Sequence, residues 1–517
     1  MNPFDENGVF VNVTRDGELK RQAVRSGGVT ILFQGFGFAV QMVSTAVLAR
    51  LLTPADFGVV TMVTTFSLLV SSFGLNGFTE AVLQRNEITR RLVSNLFWIN
   101  MGVASVLTVA FAACGGILAG FFHDPRVAHV AVGMSLTIII SGTSVLHLAL
   151  LKRAMRYAAV SINDIFARAL SVVCSIVLAF LGWGYWALVI GAVVTPLAQT
   201  IGAWSLCRWI PDRPRTDPAT GLSVKFATNV YLHFIVNYAA RNFDNVLVGW
   251  RFEAQALGFY KKAYDLFVLP ANNLLSPLGS VVVTTLSRLN HDLVQYRRYF
   301  LSGLAILAFV GMGIGADLTL IAKDLIRLFL GPNWDTAGRI FMFFGPGIGV
   351  MLLYNTHGWI HLSIGHADRW FRWGVIEFVT TTVLFFLSLH WGPEGVAVAW
   401  TVSFCVLSPP AFWYAGKPID LRLSAMAEVV WRYLVASLVA AGLTRIVLRS
   451  WPSLQAATGW EGALYRMVAD SVVFALLYLT AVILLHGGLA PIRSVVELLG
   501  TFRRRQKLPA PVPAATR

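Results

Sequence analysis

The sequence predicts an all-α integral membrane protein with about fourteen transmembrane helices, arranged as two six-helix lobes related as parallel repeats plus two C-terminal helices. Three observations carry this expectation. Of 517 residues, 56% are hydrophobic and only 13% are charged, against about 25% charged in an average soluble domain. Apolar stretches long enough to cross about 30 Å of hydrocarbon follow one another almost to the end of the chain. With both termini in the cytoplasm, about 27 of the 41 Lys and Arg residues fall in cytoplasmic segments and about ten on the opposite side. An odd number of helices, or the reverse orientation, would destroy that bias.

Residues 1–27 read as a polar cytoplasmic segment without the apolar core of a signal peptide, so the first helix serves as an uncleaved anchor. Spans are expected near 28–51, 57–78, 94–121, 128–151, 159–181 and 185–206, forming an N-lobe of residues 28–207. Residues 208–224 form a cytoplasmic linker with the run Arg208-Trp-Ile-Pro-Asp-Arg-Pro-Arg215. Further spans near 225–249, 257–285, 299–321, 338–360, 370–389 and 395–413 make a C-lobe of residues 225–413. The last two, near 426–448 and 463–485, occupy 426–485, and 486–517 is a basic cytoplasmic tail. Its Arg503, Arg504, Arg505 and Lys507 suit contact with anionic lipid.

The chain reads as a duplication. Ala49–Val60 (ARLLTPADFGVV) corresponds to Gly249–Tyr260 (GWRFEAQALGFY), with Gly58 on Gly258. Phe122-His-Asp-Pro125 corresponds to Phe329-Leu-Gly-Pro332, and Gly182-Trp-Gly-Tyr-Trp-Ala187 to Gly392-Pro-Glu-Gly-Val-Ala397. Six spans per unit is an even number, so both copies enter the membrane in the same direction, as in transporters built from parallel repeats.

Motifs of catalysis are missing: there is no phosphate-binding Gly-x-x-x-x-Gly-Lys-Ser/Thr loop, no His-Glu-x-x-His and no Gly-x-Ser-x-Gly elbow. The reading is therefore a protein that is not an enzyme and needs no catalytic cofactor. The formal charge of +15 is explained by cytoplasmic loops rather than nucleic acid. Cys114, Cys174, Cys207 and Cys405 are dispersed and read as small buried apolar side chains. His147, His233 and His361 do not form a ligand cluster by spacing, so no metal is expected. Glycine clusters at Gly311, Gly313, Gly315 and at Gly345, Gly347, Gly349 suit close helix packing, and Pro346 suits a bend.

Ionisable groups within the spans are the candidates for function, because each costs a few kcal/mol in hydrocarbon and tends to face a bundle interior or an aqueous cavity. The seventh span carries Asn237, Arg241 and Asp244, the latter two on one helical face. In the repeat register Arg241 falls opposite Gln41 and Asp244 opposite Ser44 on the first span, which also carries Gln34. Two readings stand here: an Arg–Asp pair that satisfies itself, or a cationic group for an anionic substrate with a carboxylate partner. Lys261, Lys262 and Asp265 begin the eighth span, where lysines either snorkel or bind substrate. Asp164 and Arg168 suit a local interfacial ion pair, with Arg168 the second candidate for an anion; Glu377 is a lone acid in an aromatic helix. The candidate substrate-binding set is thus Arg241, Gln41, Asn237, Lys262, Gln34 and Arg168, and the ion-coupling set Asp244, Glu377 and Asp265.

Several stretches resemble the polysaccharide exporters of the multidrug/oligosaccharidyl-lipid/polysaccharide flippase superfamily, in the branch of colanic-acid and exopolysaccharide exporters. They are Leu48-Ala-Arg-Leu-Leu-Thr-Pro-Ala-Asp-Phe-Gly58, Gly74-Leu-Asn-Gly-Phe-Thr-Glu-Ala-Val82, Leu151-Lys-Arg-Ala-Met-Arg156, Asn242-Phe-Asp-Asn-Val-Leu-Val-Gly249, Leu257-Gly-Phe-Tyr-Lys-Lys-Ala-Tyr264 and Phe329-Leu-Gly-Pro-Asn-Trp334. The similarity spans most of residues 20–420 and weakens over the last two helices. It implies a V-shaped pair of lobes around a central cavity. It also implies export of undecaprenyl-diphosphate-linked oligosaccharide by alternating access across a bacterial inner membrane, for exopolysaccharide or lipopolysaccharide assembly. The implied partners are membrane lipids, the lipid-linked oligosaccharide, a polysaccharide polymerase and a chain-length regulator, with H+ or Na+ as coupling cation. Competing readings are a cation-coupled multidrug-type antiporter or a lipid II flippase of the same superfamily, and a polysaccharide polymerase or ligase. The last is disfavoured because the longest outer connection, Ala322–Ala337, is too short to carry an active site.

Overall fold

A computed structural model describes residues 1–10, 35–72, 77–85, 87–451, 459–491 and 493. Residues 11–34, which hold Gln34, and the basic cluster at 503–507 lie outside them. Most of the described residues are helical, and the β-structure among them is two isolated bridges, Phe4 with Phe10 and Val9 with Thr89. Hydrocarbon offers no partner for a free N–H or C=O, so each crossing segment must close its backbone bonds internally.

In chain order the helices are α1 Gly35–Leu51, α2 Pro54–Ser72, α3 Thr79–Gln84, α4 Arg90–Ala113, α5 Gly115–Phe122, α6 Arg126–Arg153, α7 Tyr157–Phe180 and α8 Tyr185–Leu206. There follow α9 Pro218–Arg288, α10 Leu293–Leu330, α11 Asp335–Tyr354, α12 His357–Ser363, α13 Ala367–Ser388, α14 Gly392–Gly416, α15 Leu423–Arg449 and α16 Gly459–His486. Ten helical segments among the described residues are long and apolar enough to cross a membrane. One of them, Asp368–Ile419, contains both the eleventh and the twelfth expected spans. The seventh and eighth share α9, which is 71 residues long and is broken at Glu253 (φ 67°, ψ 175°). Large apolar side chains such as Phe180 and Leu484 are uncovered by protein, as a lipid-facing surface requires. The chain is a multi-pass membrane protein.

The stretches matched in sequence fall at turns. Thr53 caps α2, its Oγ1 donating to Asp56 Oδ2 at 2.6 Å, and the break at Glu253 falls 200 residues later. His123 (φ 58°) and Gly331 (φ 104°) shape the second pair of matched turns, and Gly182 and Gly392, both at φ 79°, the third. A left-handed backbone at these last two positions favours a residue without Cβ. Burial agrees between copies as well: Pro54, Phe57, Gly58 and Val60 are buried, as are Ala254, Leu257, Gly258 and Tyr260.

Contacts divide the chain into two units. The first comprises Met1–Lys262, Phe329–Thr336 and Phe385–Val396. Within it, Gly58 lies against the carbonyl of Ala254, and Gly258 lies against the carbonyl of Pro54. A Cβ at either glycine would overlap the opposite backbone, so the two helix starts touch main chain to main chain. The first ten residues also pack here, which their polar sequence does not foretell. Phe4 and Phe10 are buried, the N-terminal ammonium donates to Leu206 O at 2.9 Å, and the Arg153 guanidinium lies 5.3 Å from the Phe10 ring centre.

The second unit comprises Ala263–Leu328, Ala337–Leu384 and Ala397–Arg517. Its glycine clusters meet each other: a Cβ on Gly315 would lie 3.0 Å from Gly345 O, and one on Gly349 would lie 3.0 Å from Gly311 O. Small residues one turn apart let α10 and α11 approach closely. α15 and α16 join the same core through Tyr433, Phe474 and Tyr478. Tyr478 Oη donates to Phe309 O at 2.7 Å, and Arg466 of α16 pairs with Asp324 of α10 at 2.6 Å.

The expectation of four buried cysteines needs correction. Cys207 is buried, Cys174 intermediate, and Cys114 and Cys405 exposed. A thiol facing lipid needs no protein cover, which is why an apolar neighbourhood in sequence does not imply a protein interior. At Cys207, just past α8, burial pushes the thiol up to about 11, so it is an inert thiol at neutral pH.

Candidate substrate and ion site

The polar residues of α9 lie on either side of its break. Asp244 is fully buried and accepts a 2.7 Å hydrogen bond from Tyr260 Oη, sixteen residues on and beyond Glu253. This bond fastens the corner, since the turn at Glu253 brings Tyr260 back beside Asp244. Asn245, also buried, lies 3.5 Å from Asn242 Oδ1 through its amide. Arg241, one turn earlier than Asp244, is exposed. The equivalent residues of α1 repeat the pattern: Gln41 is exposed and lies 3.5 Å from Thr45 Oγ1, while Ser44 is buried.

Removing the Tyr260 hydroxyl deprives a buried carboxylate of one charge-assisted hydrogen bond. Tyr260→Phe is expected to cost about 1–3 kcal/mol, read as a lower thermal midpoint of the purified protein in detergent. An unchanged midpoint would mean that the bond does not hold the corner.

At the end of the first unit, Lys262 Nζ lies 4.2 Å from the ring centre of Phe57. Phe57 in turn meets Trp334 at 5.4 Å between centroids, and Trp334 Nε1 donates to Ala49 O at 2.7 Å. Lys262 is thus held on an aromatic face rather than extended toward water, a cation–π contact worth about 0.5–2 kcal/mol.

The remaining candidates are spread out. Asn237 lies within α9 and Arg168 is exposed on α7. Asp164, which feels the charge of Arg168 one turn on, also takes a bond between helices, with Gln199 Nε2 of α8 donating to Asp164 Oδ1 at 3.0 Å. The amide reaching across from α8 is a second partner, which the sequence did not announce. Glu377 on α13 and Asp265 on the later part of α9 are half-buried, and both belong to the second unit. The structure therefore brings Asp244 to Tyr260 and Lys262 to Phe57. No ligand cluster of three or more His, Cys, Asp or Glu occurs among the described residues.

Residues 47–338 match the family described as polysaccharide biosynthesis protein. The chain belongs to that family. Its similarity to the succinoglycan biosynthesis transport protein ExoT of Rhizobium meliloti (strain 1021) is 20% identity over 96% of this chain and 98% of that protein. Teichuronic acid biosynthesis protein TuaB of Bacillus subtilis (strain 168) is 24% identical over 68% of this chain and 74% of its own. Lipopolysaccharide biosynthesis protein WzxC of Escherichia coli (strain K12) is 20% identical over 59% of this chain and 62% of its own. Among solved structures, the lipid II flippase MurJ in an inward closed conformation superposes with a TM-score of 0.70 at 12% identity, covering 87% of this chain and 97% of that one. An inward-facing multidrug transporter of the MATE family gives 0.58 at 12% identity, over 74% and 94%. These likenesses establish an all-α transporter fold. With the family, they make this member of it a membrane transporter of polysaccharide biosynthesis.

Proposed function

We propose that the protein translocates undecaprenyl-diphosphate-linked oligosaccharide from the cytoplasmic to the periplasmic leaflet of a bacterial inner membrane, by alternating access of two six-helix lobes. In this reading the chain crosses fourteen times, both termini are cytoplasmic, and the protein carries no enzymatic activity. The observation that carries it is Arg241: an exposed residue on α9, in the stretch expected to be the seventh span, in a chain of the polysaccharide biosynthesis family. An arginine in hydrocarbon costs about 2.5–3.5 kcal/mol or more, and in this reading the exposed face of α9 at Arg241 lines a path for water and substrate. Arg matches the geometry of a diphosphate, to which it can donate two parallel hydrogen bonds. Gln41, in the equivalent position of the other repeat, supplies neutral hydrogen bonds to sugar. Outward movement of an anion down an inside-negative potential is favourable by about 2.3 kcal/mol per charge per 100 mV, so export needs no ATP.

The test is Arg241→Ala and Arg241→Lys in a strain deleted for the gene, with protein level quantified. Surface polysaccharide is expected to vanish with Ala, to return in part with Lys, and lipid-linked repeat units are expected to accumulate in the membrane. Full polysaccharide with Ala would remove Arg241 from the site. A deletion that leaves polysaccharide intact but changes drug sensitivity would replace the substrate class with small molecules.

A further inference from the structure

The second unit contains a polar cluster that the substrate site does not use. His357 and His361 stand one turn apart on α12 with ring centroids 6.0 Å apart, and both are buried, His361 completely. His357 Nδ1 lies 2.6 Å from the Tyr354 carbonyl, so it donates there and Nε2 is the unprotonated nitrogen of the neutral ring. That Nε2, and both ring nitrogens of His361, have no hydrogen-bond partner among the described residues. A buried polar atom without a partner costs about 1–3 kcal/mol. Two adjacent residues with three such atoms between them are a poor choice for structure alone.

The walls suit a cation. Tyr354 of α11 lies 4.7 Å from the His357 ring and Trp373 of α13 lies 6.2 Å from it. Tyr414 of α14 lies 5.7 Å from the His361 ring. Trp373 Nε1 donates to Tyr354 Oη at 2.8 Å, which fixes both rings. Aromatic faces within about 6 Å stabilise a positive charge. The titratable and charged groups facing the pair from neighbouring elements are Arg369, His366 and Asp368, besides Tyr354 and Tyr414. Arg369 is held against the Tyr414 ring at 4.2 Å and donates to Tyr414 O. Asp368 lies 3.8 Å from His366 and 3.9 Å from Arg372. From α10, Tyr296 Oη lies 2.6 Å from Ser363 Oγ, and Glu377 stands one turn beyond Trp373 on α13. Two imidazole nitrogens are too few for a metal ion, and no third His, Cys, Asp or Glu completes a ligand set among the described residues.

We propose that His357 and His361 form a proton-binding site that takes up a single proton, on one ring or the other, and that this proton is the ion coupled to transport. The inference rests on the transport reading above and names its coupling ion, in place of the carboxylates Asp244 and Glu377. Two imidazolium rings so close repel each other, and Arg369 adds to the repulsion, so a second proton is excluded. Taking up and releasing the one proton alters the charge at the junction of α11, α12 and α13.

Two measurements separate this site from the transport reading. In the first, histidines of the purified full-length protein are isotopically labelled and their ring signals followed by NMR between about pH 4 and pH 8. One proton is expected to be taken up by the pair, and His357→Gln is expected to move the midpoint of His361, with His361→Gln moving that of His357. Rings that titrate independently, or that stay neutral throughout, overturn the proposal, and the wild-type titration needs no variant to fold. In the second, the protein is placed in liposomes with a pH-sensitive dye inside, and lipid-linked oligosaccharide extracted from the parent strain is supplied. An imposed pH gradient is expected to accelerate translocation at fixed potential, and the H357Q/H361Q double variant to lose that acceleration while still responding to potential. A double variant that keeps the full response overturns the coupling role. A coupled titration in a wild type that moves no lipid-linked oligosaccharide would support the proton site and refute the transport reading.

Discussion

Replacing Gly58 by valine is expected to remove most surface polysaccharide in a complemented deletion strain, and Gly258→Val to do the same. The reason is that what each glycine faces is a backbone carbonyl, at Ala254 and Pro54 respectively. A side chain opposite can rotate away; a carbonyl in the first turn of a helix cannot without moving the helix. Overpacking of this kind costs about 1–3 kcal/mol, and one or two kcal/mol changes an equilibrium by a factor of about 5–30. In the transport cycle proposed above, the state with this contact closed would be depleted by that factor. Alanine already introduces the offending Cβ, so Gly58→Ala should show a partial loss and valine a severe one, at unchanged protein level. Equal activity of all three would mean that the contact is not closed in any obligatory state.

The second large effect is expected at Arg466. Its guanidinium makes a bidentate contact with Asp324, Nη2 donating to Oδ1 at 2.6 Å and Nε to Oδ2 at 3.1 Å. Both side chains are mostly covered, with relative exposures of 22% and 17%. Breaking a buried pair by removing one partner costs about 3–5 kcal/mol, because the other charge stays behind; partial exposure places this pair toward the lower figure. Asp470, one turn from Arg466 on α16, would be left near Asp324 with less positive charge between them. Arg466→Met should therefore lower the thermal midpoint in detergent more than Asp324→Asn does. The double variant should recover part of the loss, the signature of coupling in a double-mutant cycle. If the two losses simply add, the pair does not fasten α16 to α10.

Much of the fold was legible because lipid leaves a chain few choices. Apolar length locates helices without any tertiary information. The three matched turns at offsets near 200 were readable because turns need particular residues: Gly182 and Gly392 share a left-handed backbone. The site was less legible. Arg241 and Asp244 stand out as charges in an apolar stretch, yet nothing local announces that Asp244 takes its bond from Tyr260. The two are sixteen residues apart, a separation that no single helical face spans, and only the break at Glu253 brings them together. Lys262 read equally well as a snorkelling or a binding residue, and its aromatic seat depends on Phe57, which is some 200 residues away in sequence. His357 and His361 have helical spacing, but two histidines without a third ligand do not look like a metal site. Their significance lies in what fails to touch them, and periodicity carries no signal for that.

The reciprocal glycine contact also bears on how such a chain could arise. Gly58 touches the residue four positions before Gly258, and Gly258 touches the residue four positions before Gly58. A contact in which i meets j and j meets i is isologous, the pattern by which two identical subunits pair about a twofold axis. A half-length protein carrying one Pro/Ala-x-x-x-Gly turn could close on a second copy of itself through this same packing. Fusion of two such genes would keep the interface while letting the copies diverge, as they would have done at the capped loop of Thr53 and the sharp corner of Glu253 inside a single long helix. In the same picture the charges would have diverged as well, with Arg241 and Asp244 on one side and Gln41 and Ser44 on the other. An ancestral symmetric dimer would have presented the same group twice, whereas a fused chain is free to carry a cationic residue on one copy and a neutral one on the other.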